Sequence, residues 1–387
     1  MKALRNVSRI IVGIVFVFSG FVKGIDPLGS TYKFLDYFEA FGMPFMEPLA
    51  FPLAILLSAL EFGLGICLLV KVRMQISAWI TLIFMAFFTV LTFILAIYNP
   101  VSDCGCFGDA IIMTNWETFW KNVVLSIFVL VVFFERKKYY IDYSNLQQWA
   151  VAVAGFFFMV VVSIYCYMHL PLMDFRPYAE GAYLPEKMEI PEGAPQPEYK
   201  TILKYQKNGE IKEFDLENLP DSTWEWVDTE NILIKEGYQP EITDFAVSTK
   251  EGDDITDILL ADHKFTFIVV SYDINRVKDK FHESLQELND YAKSSPNAEA
   301  ILLTSSLDDD IQKFLREAGL DMPYYIGDEI VLKTIVRANP GIVLMKSGTI
   351  MKKWHIRDLP PFTELDEEYI ENPIYEARGS GKLKISV

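Results

Sequence analysis

The chain has very little cysteine: four in 387 residues, at positions 67, 104, 106 and 166. Nothing after Cys166 carries a thiol, which excludes disulfide exchange by the C-terminal half and a disulfide-stapled scaffold for the whole. Histidine is as scarce, four residues in all, with none between positions 99 and 117. A closed zinc site needs four thiolate or imidazole ligands, so Cys104 and Cys106 are too few for one and no metal is expected. Glycine clusters of the dinucleotide type and haem motifs are absent, so neither a nucleotide nor haem is expected. Charge is nearly missing from the first part. Residues 1–170 hold 11 Lys+Arg and 10 Asp+Glu, which leaves 24 of the 35 basic and 42 of the 52 acidic residues for the rest. A C-terminal half with a net charge of −18 is a poor ligand for phosphate backbones, which excludes nucleic acid as a partner.

What the chain does have is long apolar runs. Five, at 7–23, 49–70, 76–98, 118–134 and 148–169, approach the roughly 20 residues that a bilayer core requires. The first is expected to stay as a span, not leave as a signal peptide, because Lys23 and Asp26-Pro27 follow it where a small-residue cleavage site would stand. The basic clusters Lys2/Arg5/Arg9, Lys71/Arg73 and Arg136/Lys137/Lys138 all fall on one side of a five-span path. The positive-inside rule makes that side cytoplasmic. The expectation is a multi-pass protein of a bacterial inner membrane, with the lipid bilayer as its first partner. Its loops 24–48 and 99–117, and everything after about 170, would then be periplasmic.

Between the third and fourth runs lies "NPVSDCGCFGDAIIMTNWETFWKN", Asn99 to Asn122. Two cysteines one residue apart close a ring only with strain, and Gly105 supplies the backbone freedom. Strained, exposed disulfides are the labile ones, which suits exchange; a structural loop clip is the rival, and a metal site the minor one. Asp103 should disfavour a thiolate at Cys104. Thr114 and Glu117 have capping-box spacing, so a helix is expected to start there. Trp116 and Trp120 fit an interfacial aromatic belt. The dithiol would thus sit at the bilayer surface, near where a lipid-soluble quinone approaches. Cys67 and Cys166 read as small packing residues.

Three of the polar residues inside the runs stand out. Glu61, at mid-membrane, costs on the order of 3 kcal/mol on insertion scales and must face the bundle interior. It reads either as a proton relay or quinone-contacting group, or as a helix-to-helix hydrogen bond to Ser or Thr. Ser19 and Lys23 are four apart on one helix face. Lys23 reads as an interfacial anchor, or as a holder of an anion or quinone head group. Gly63 and Gly65 let another backbone come close.

The segments "RIIVGIVFVFSGFVKGIDP", "LEFGLGICLL" and "DCGCFGDAI…TNWETFWKN" resemble the DoxX/MauE family of redox-associated membrane proteins over about residues 1–140. The resemblance implies a four-helix membrane module, to which 141–170 adds a fifth transmembrane helix. It also implies quinone-linked electron transfer and disulfide maturation of exported enzymes, methylamine dehydrogenase among them. Matched residue by residue, the positions concerned are Arg9, Ser19, Gly20, Lys23, Glu61, Cys104 and Cys106. Asp103, Gly105, Phe107 and Gly108 would set the geometry of the loop.

After the membrane part, 171–240 reads as a Pro-rich connector, "PEKMEIPEGAPQPEYK", then a hairpin around Asn208-Gly209 and a strand at "STWEWVDT". Residues 241–356 alternate strands and helices. "ITDFAVSTKEGDDITDILL" reads as two short strands, "KFTFIVVSYD" and "EAILLTSS" as buried strands, and "VKDKFHESLQELNDYAKSS" and "LDDDIQKFLREAGL" as helices. "ANPGIVLMKSGTIMKKWH" reads as two strands around a Ser-Gly turn. This order resembles an extracytoplasmic α/β thioredoxin-like domain of the TlpA-like branch, with Asn339-Pro340 where that fold keeps a cis-proline. Where the family carries Cys-x-x-Cys, this chain has "SYDINRV". The resemblance therefore implies a binding domain whose Asn339/Pro340 surface meets a partner, such as an exported client or a periplasmic redox protein. The tail 357–387 is expected to be loose. Two functions stand side by side: thiol–disulfide or quinone-linked redox chemistry through Cys104/Cys106, or a non-enzymatic membrane scaffold whose Cys-Gly-Cys is a clip.

Overall fold

The computed structural model describes residues 2–371 apart from 141, 208, 217 and 236. Asn208 of the expected hairpin turn and residues 372–387 of the tail lie outside the described residues.

Helix α1 (Lys2–Ile25) turns Val12, Phe16, Ser19, Gly20 and Lys23 inward, the three-and-four spacing of one helical face. Helix α2 (Pro27–Ala40) follows at once. Asp26 caps it by accepting from the Gly29 N–H at 2.9 Å, and Pro27 supplies a first residue that needs no amide. Helix α3 (Ala50–Val70) is led in by a 3-10 turn, Pro44–Leu49. Helices α4 (Met74–Tyr98), α5 (Asn115–Phe134) and α6 (Asn145–Met168) complete the bundle. The capping box at Thr114/Glu117 is formed, and Ser144/Gln147 makes a second one. Among the described residues, α1, α3 with its lead-in, α4, α5 and α6 are long and apolar enough to cross a membrane. Ile83, Phe87, Val90, Ile127 and Val161 are exposed on their outer faces, a surface that suits lipid better than water.

Helices α1 and α3 touch backbone to backbone. A Cβ on Gly20 would fall 2.4 Å from the Phe62 nitrogen, and one on Gly65 would fall 2.6 Å from the Val17 nitrogen. Small residues permit this approach, and close packing is what holds helices together in lipid. Gly63 instead faces Phe156 of α6. Cys67 and Cys166 are buried packing residues, the latter among Ile25, Ala59, Phe62 and Met159.

Residues Tyr183–Phe245 form a compact unit of their own. It holds α7 (Leu184–Met188) and three antiparallel strands, β1 (Glu198–Lys207), β2 (Glu210–Asp215) and β3 (Glu225–Lys235), in the order β2-β1-β3.

The α/β region runs β4 (Val247–Ser248), α8 (Thr256–Ala261), β5 (Phe265–Ser271), α9 (His282–Ser294), β6 (Ala298–Thr304), α10 (Asp308–Glu317), β7 (Tyr324–Gly327), α11 (Glu329–Ile335), β8 (Gly341–Lys346) and β9 (Thr349–His355), and ends on α12 (Phe362–Leu365). Its sheet order is β4-β7-β6-β5-β8-β9. Strand β5 pairs parallel with β6 and antiparallel with β8, and β8 pairs antiparallel with β9. Every residue of β5 is buried, as a central strand rich in Phe, Ile and Val requires. The Asn339–Pro340 bond ahead of β8 is cis. The alternation of strands and helices, with a cis-proline ahead of β8, is the one expected from the sequence.

Three expectations are corrected. The second strand read in 242–260 is helix α8, because Asp254 accepts from the Thr256 N–H at 2.8 Å and starts a helix that buries Leu259 and Leu260. The helix read from Val277 begins at His282, after a 3-10 turn, although Val277, Phe281, Leu285 and Leu288 all reach the core. The first part of the tail is not loose: Leu365 and Ile370 are buried in the same core.

Candidate functional site

The dithiol loop joins α4 to α5. Cys104 is buried and Cys106 half-buried. Both are free thiols with their sulfurs 3.0 Å apart. Gly105 between them has φ +66°, a conformation that favours glycine. A Cβ there would also meet Lys33 Cγ at 3.0 Å. Gly108, at φ +52°, donates its N–H to the Gly105 carbonyl at 3.1 Å and closes the turn. Phe107 packs edge-on against Phe18 of α1 and lies under the Lys121 ammonium, 4.2 Å from its ring centroid.

Helix α2 forms the wall that sequence reasoning missed. The segment 24–48 reads as an outer loop because it joins two apolar runs on the side away from the basic clusters. The signal was present, in Asp26 followed by Pro27 at a helix start. From α2, Lys33 reaches Asp103 at 2.5 Å and Tyr37 donates to the Cys104 carbonyl at 2.8 Å. Asp103 also accepts from the Gly105 N–H at 2.9 Å. Its charge is therefore matched by Lys33, and its expected effect on Cys104 is muted.

Beneath the loop, Ser19, Lys23 and Glu61 come together. The Ser19 hydroxyl contacts Glu61 Oε2 and the Cys106 carbonyl, each at 2.8 Å. Lys23 Nζ lies 2.6 Å from Glu61 Oε1 and 2.5 Å from Oε2. Lys23 thus turns inward instead of anchoring at the interface, because a buried carboxylate needs a paired cation. The helix-to-helix contact expected of Glu61 is formed with Ser19. Arg9 stands apart. It donates to the carbonyls of Leu68 and Leu69 at the far end of α3, roughly 15 Å down the α1 axis from Ser19 at 1.5 Å per residue.

The loop and this polar cluster open on a cavity of about 350 Å³. Phe34 and Phe38 of α2 and Phe84, Phe87 and Phe88 of α4 line it on the apolar side, with Lys23, Glu61, Lys121 and both cysteines at the polar end. Ligand pockets run from roughly 300 to 1,000 Å³.

One proton is shared unequally between the thiols. The Cys104 hydrogen bond is the main cause that pulls Cys106 down, to about 6, with Lys121 and Lys23 assisting against burial and Glu61. Cys104 is pushed up, first by that same bond and then by burial and the Cys106 charge, with Tyr37 and Lys121 opposing. The surroundings therefore favour the thiolate on Cys106 and the proton on Cys104.

The α/β region meets the same loop. Arg337 Nε lies 2.9 Å from Asp26 Oδ2, and Nη2 lies 2.9 Å from Asp109 Oδ2. Asp109 is in the 3-10 turn Gly108–Ala110. Pro340 is buried, and Asn339 is held by Ser271 Oγ at 2.8 Å and bonds the Asp273 carbonyl at 2.7 Å.

Residues 1–135 match a family model described as Methylamine utilisation protein MauE. Residues 199–236 match a model described as a domain of unknown function, DUF8463. No curated protein matches. Among solved structures the chain is similar to the solution structure of a protein from Bacteroides thetaiotaomicron described as a candidate protein disulfide isomerase. The identity is 16%, the TM-score 0.25, and the match covers 32% of this chain and 80% of that one. The fold rests on the sheet order, not on this likeness.

Proposed function

We propose that this multi-pass membrane protein carries out thiol–disulfide exchange on the periplasmic face of a bacterial inner membrane and returns the electrons to a quinone. The observation that carries the reading is the pair of free thiols in contact at the mouth of an aromatic cavity whose polar end holds Lys23, Glu61 and Lys121. The membrane part is then a DoxX/MauE-like module and the outer region a TlpA-like domain without its own dithiol. The N-terminus is cytoplasmic by the charge argument.

Exchange with an exported partner begins when a partner thiolate attacks the Cys104–Cys106 disulfide. The partner leaves with the disulfide, and this chain keeps two electrons as the Cys104 thiol and the Cys106 thiolate. The quinone, when bound, accepts two electrons and two protons. As the Cys104–Cys106 bond re-forms, Cys104 gives up one of those protons. The other replaces the proton that the partner's attacking thiol lost on ionising and is taken up from solvent on the outer face, past the polar cluster of Ser19, Glu61 and Lys23. The cavity fits such a group: aromatic walls match its ring and tail, and Lys23 and Lys121 offer donors for its oxygens. Tyr37 and Lys33 hold the loop in place.

The test is thiol trapping with a maleimide reagent on the full chain in lipid nanodiscs containing ubiquinone or ubiquinol. A pair that becomes oxidised with ubiquinone and reduced with ubiquinol supports the reading. A pair locked in one state under both refutes it. Cys106→Ser is expected to abolish partner oxidation; if it lowers stability but leaves partner disulfides intact, the scaffold reading replaces this one.

A further inference from the structure

Arg337 is the contact between the α/β region and the dithiol loop that most needs explaining. Its side chain is 7% exposed, a buried cation that belongs to neither the sheet core nor the lipid-facing bundle. It engages two carboxylates from opposite ends of one frame. Asp26 caps α2, the helix whose Lys33 and Tyr37 hold Asp103 and the Cys104 carbonyl. Asp109 sits three residues after Cys106, in the turn that leaves the dithiol. One guanidinium therefore grips the frame on both the Cys104 and the Cys106 side.

The surroundings are built for this grip. Nη1 donates to the Lys333 carbonyl at 2.5 Å, which fixes the side chain against the last turn of α11. Gly29 leaves the space: a Cβ there would fall 2.9 Å from Nη2. The Tyr32 ring of α2 lies 5.4 Å from the guanidinium carbon, and Lys333 stands 5.0 Å from that ring and 5.3 Å from Tyr272, within the reach of cation–π attraction. Tyr272 belongs to the "SYDIN" stretch, where a redox-active relative would carry its cysteines. The side of the sheet that a client would be expected to meet is thus turned to the chain's own α2. Burial lifts the Asp109 carboxyl above its usual range, with Arg337 opposing and Asp26 reinforcing the rise, so the turn depends on its cation.

We infer that Arg337 is a positioning residue of the outer region: by holding Asp26 and Asp109 together it keeps Cys104 and Cys106 in thiol–thiolate contact and so sets the reactivity of the pair. This deepens the function proposed above. Removing the grip loosens the turn after Cys106, lengthens the sulfur–sulfur contact and weakens the hydrogen bond that favours the thiolate.

The experiment titrates the thiolate ultraviolet absorbance of the reduced full-length protein in detergent, for wild type, Arg337→Met, Asp109→Asn and the double variant. Each single variant is expected to raise the Cys106 midpoint by about one pH unit, a tenfold loss of thiolate on the acid side. The double variant should show no more than either single one, because both break the same contact. Arg337→Lys should recover part of the shift. An unchanged midpoint in Asp109→Asn, or additive shifts in the double variant, overturns the inference. If Arg337→Met does not fold, Asp109→Asn and Arg337→Lys decide it. The titration involves no quinone and no turnover: a shifted midpoint in a pair that ignores ubiquinone sinks the proposed function and leaves this inference standing.

Discussion

The charge asymmetry of the dithiol can be tested by removing one donor. The Cys104 thiol donates to Cys106 across 3.0 Å, and this bond is the largest cause of the low Cys106 value of about 6. Cys104→Ala removes the donor and leaves the loop backbone and the Tyr37 contact to the 104 carbonyl in place. A hydrogen bond to a charged group contributes about 1.5–3 kcal/mol, and a pKa unit is about 1.4 kcal/mol. The Cys106 midpoint should therefore climb by about one to two units, to roughly 7–8. At pH 7 the thiolate fraction falls from about 90% to between about 50% and 10%. Cys104→Ser keeps a donor at the same position and should return the midpoint toward the wild-type value. The assay is the pH dependence of thiolate ultraviolet absorbance, which needs no reagent to reach a buried sulfur. If Cys104→Ala titrates like wild type, Lys121 and Lys23 alone set the thiolate, and the pairing argument is wrong.

Two further predictions follow from packing and burial. Gly20→Ala places a methyl 2.4 Å from the Phe62 backbone nitrogen. Backbone does not yield as a side chain does, so α1 and α3 must part at a cost of about 1–3 kcal/mol or more; an unchanged unfolding midpoint in detergent would show the contact to be looser than described. His355 is pushed down to about 4 by burial first, then by Arg357, His169 and Lys280, with Asp358 opposing. The unfolded chain then binds a proton that the folded chain refuses between about 6.5 and 4. Stability of the sheet should fall by about 3 kcal/mol as pH drops through that window, read by hydrogen exchange at β8 and β9 amides. His355→Gln should flatten the slope, and an equally steep slope in that variant would assign it to other groups.

The apolar spans, the capping box at Thr114/Glu117 and the buried strands β5 and β6 were legible because each rests on a local pattern: hydropathy, cap chemistry or an unbroken apolar run. Ser19, Lys23, Glu61 and the two cysteines were named from sequence, but as separate features. Only the backbone contact of α1 with α3 shows that they form one cluster under the loop. Lys33, Tyr37 and Lys121 were missed because each is an ordinary polar residue on a helix or loop surface until the loop folds against it. Arg337 and Asp109 are 228 residues apart in the chain, and no local signal links a guanidinium before β8 to a turn between two membrane helices. Helix α8 stands where a strand is expected because Asp254 and Thr256 favour a helix start as readily as a bend.

The path from α6 into the α/β region has a second use. Gly181 donates to the Ile350 carbonyl at 2.8 Å and Ala182 accepts from the Ile350 N–H at 2.9 Å, while the Glu180 carboxylate takes the Lys353 N–H at 3.2 Å. Strand β9 is the last in the sheet, and a bare outer strand invites pairing with foreign chains. The leash to the membrane therefore doubles as a guard rail on the open edge. A soluble fragment cut to start after Ala182 would lose that rail and expose an adhesive border, whereas one that keeps Asp174 to Ala182 carries its own protection into solution.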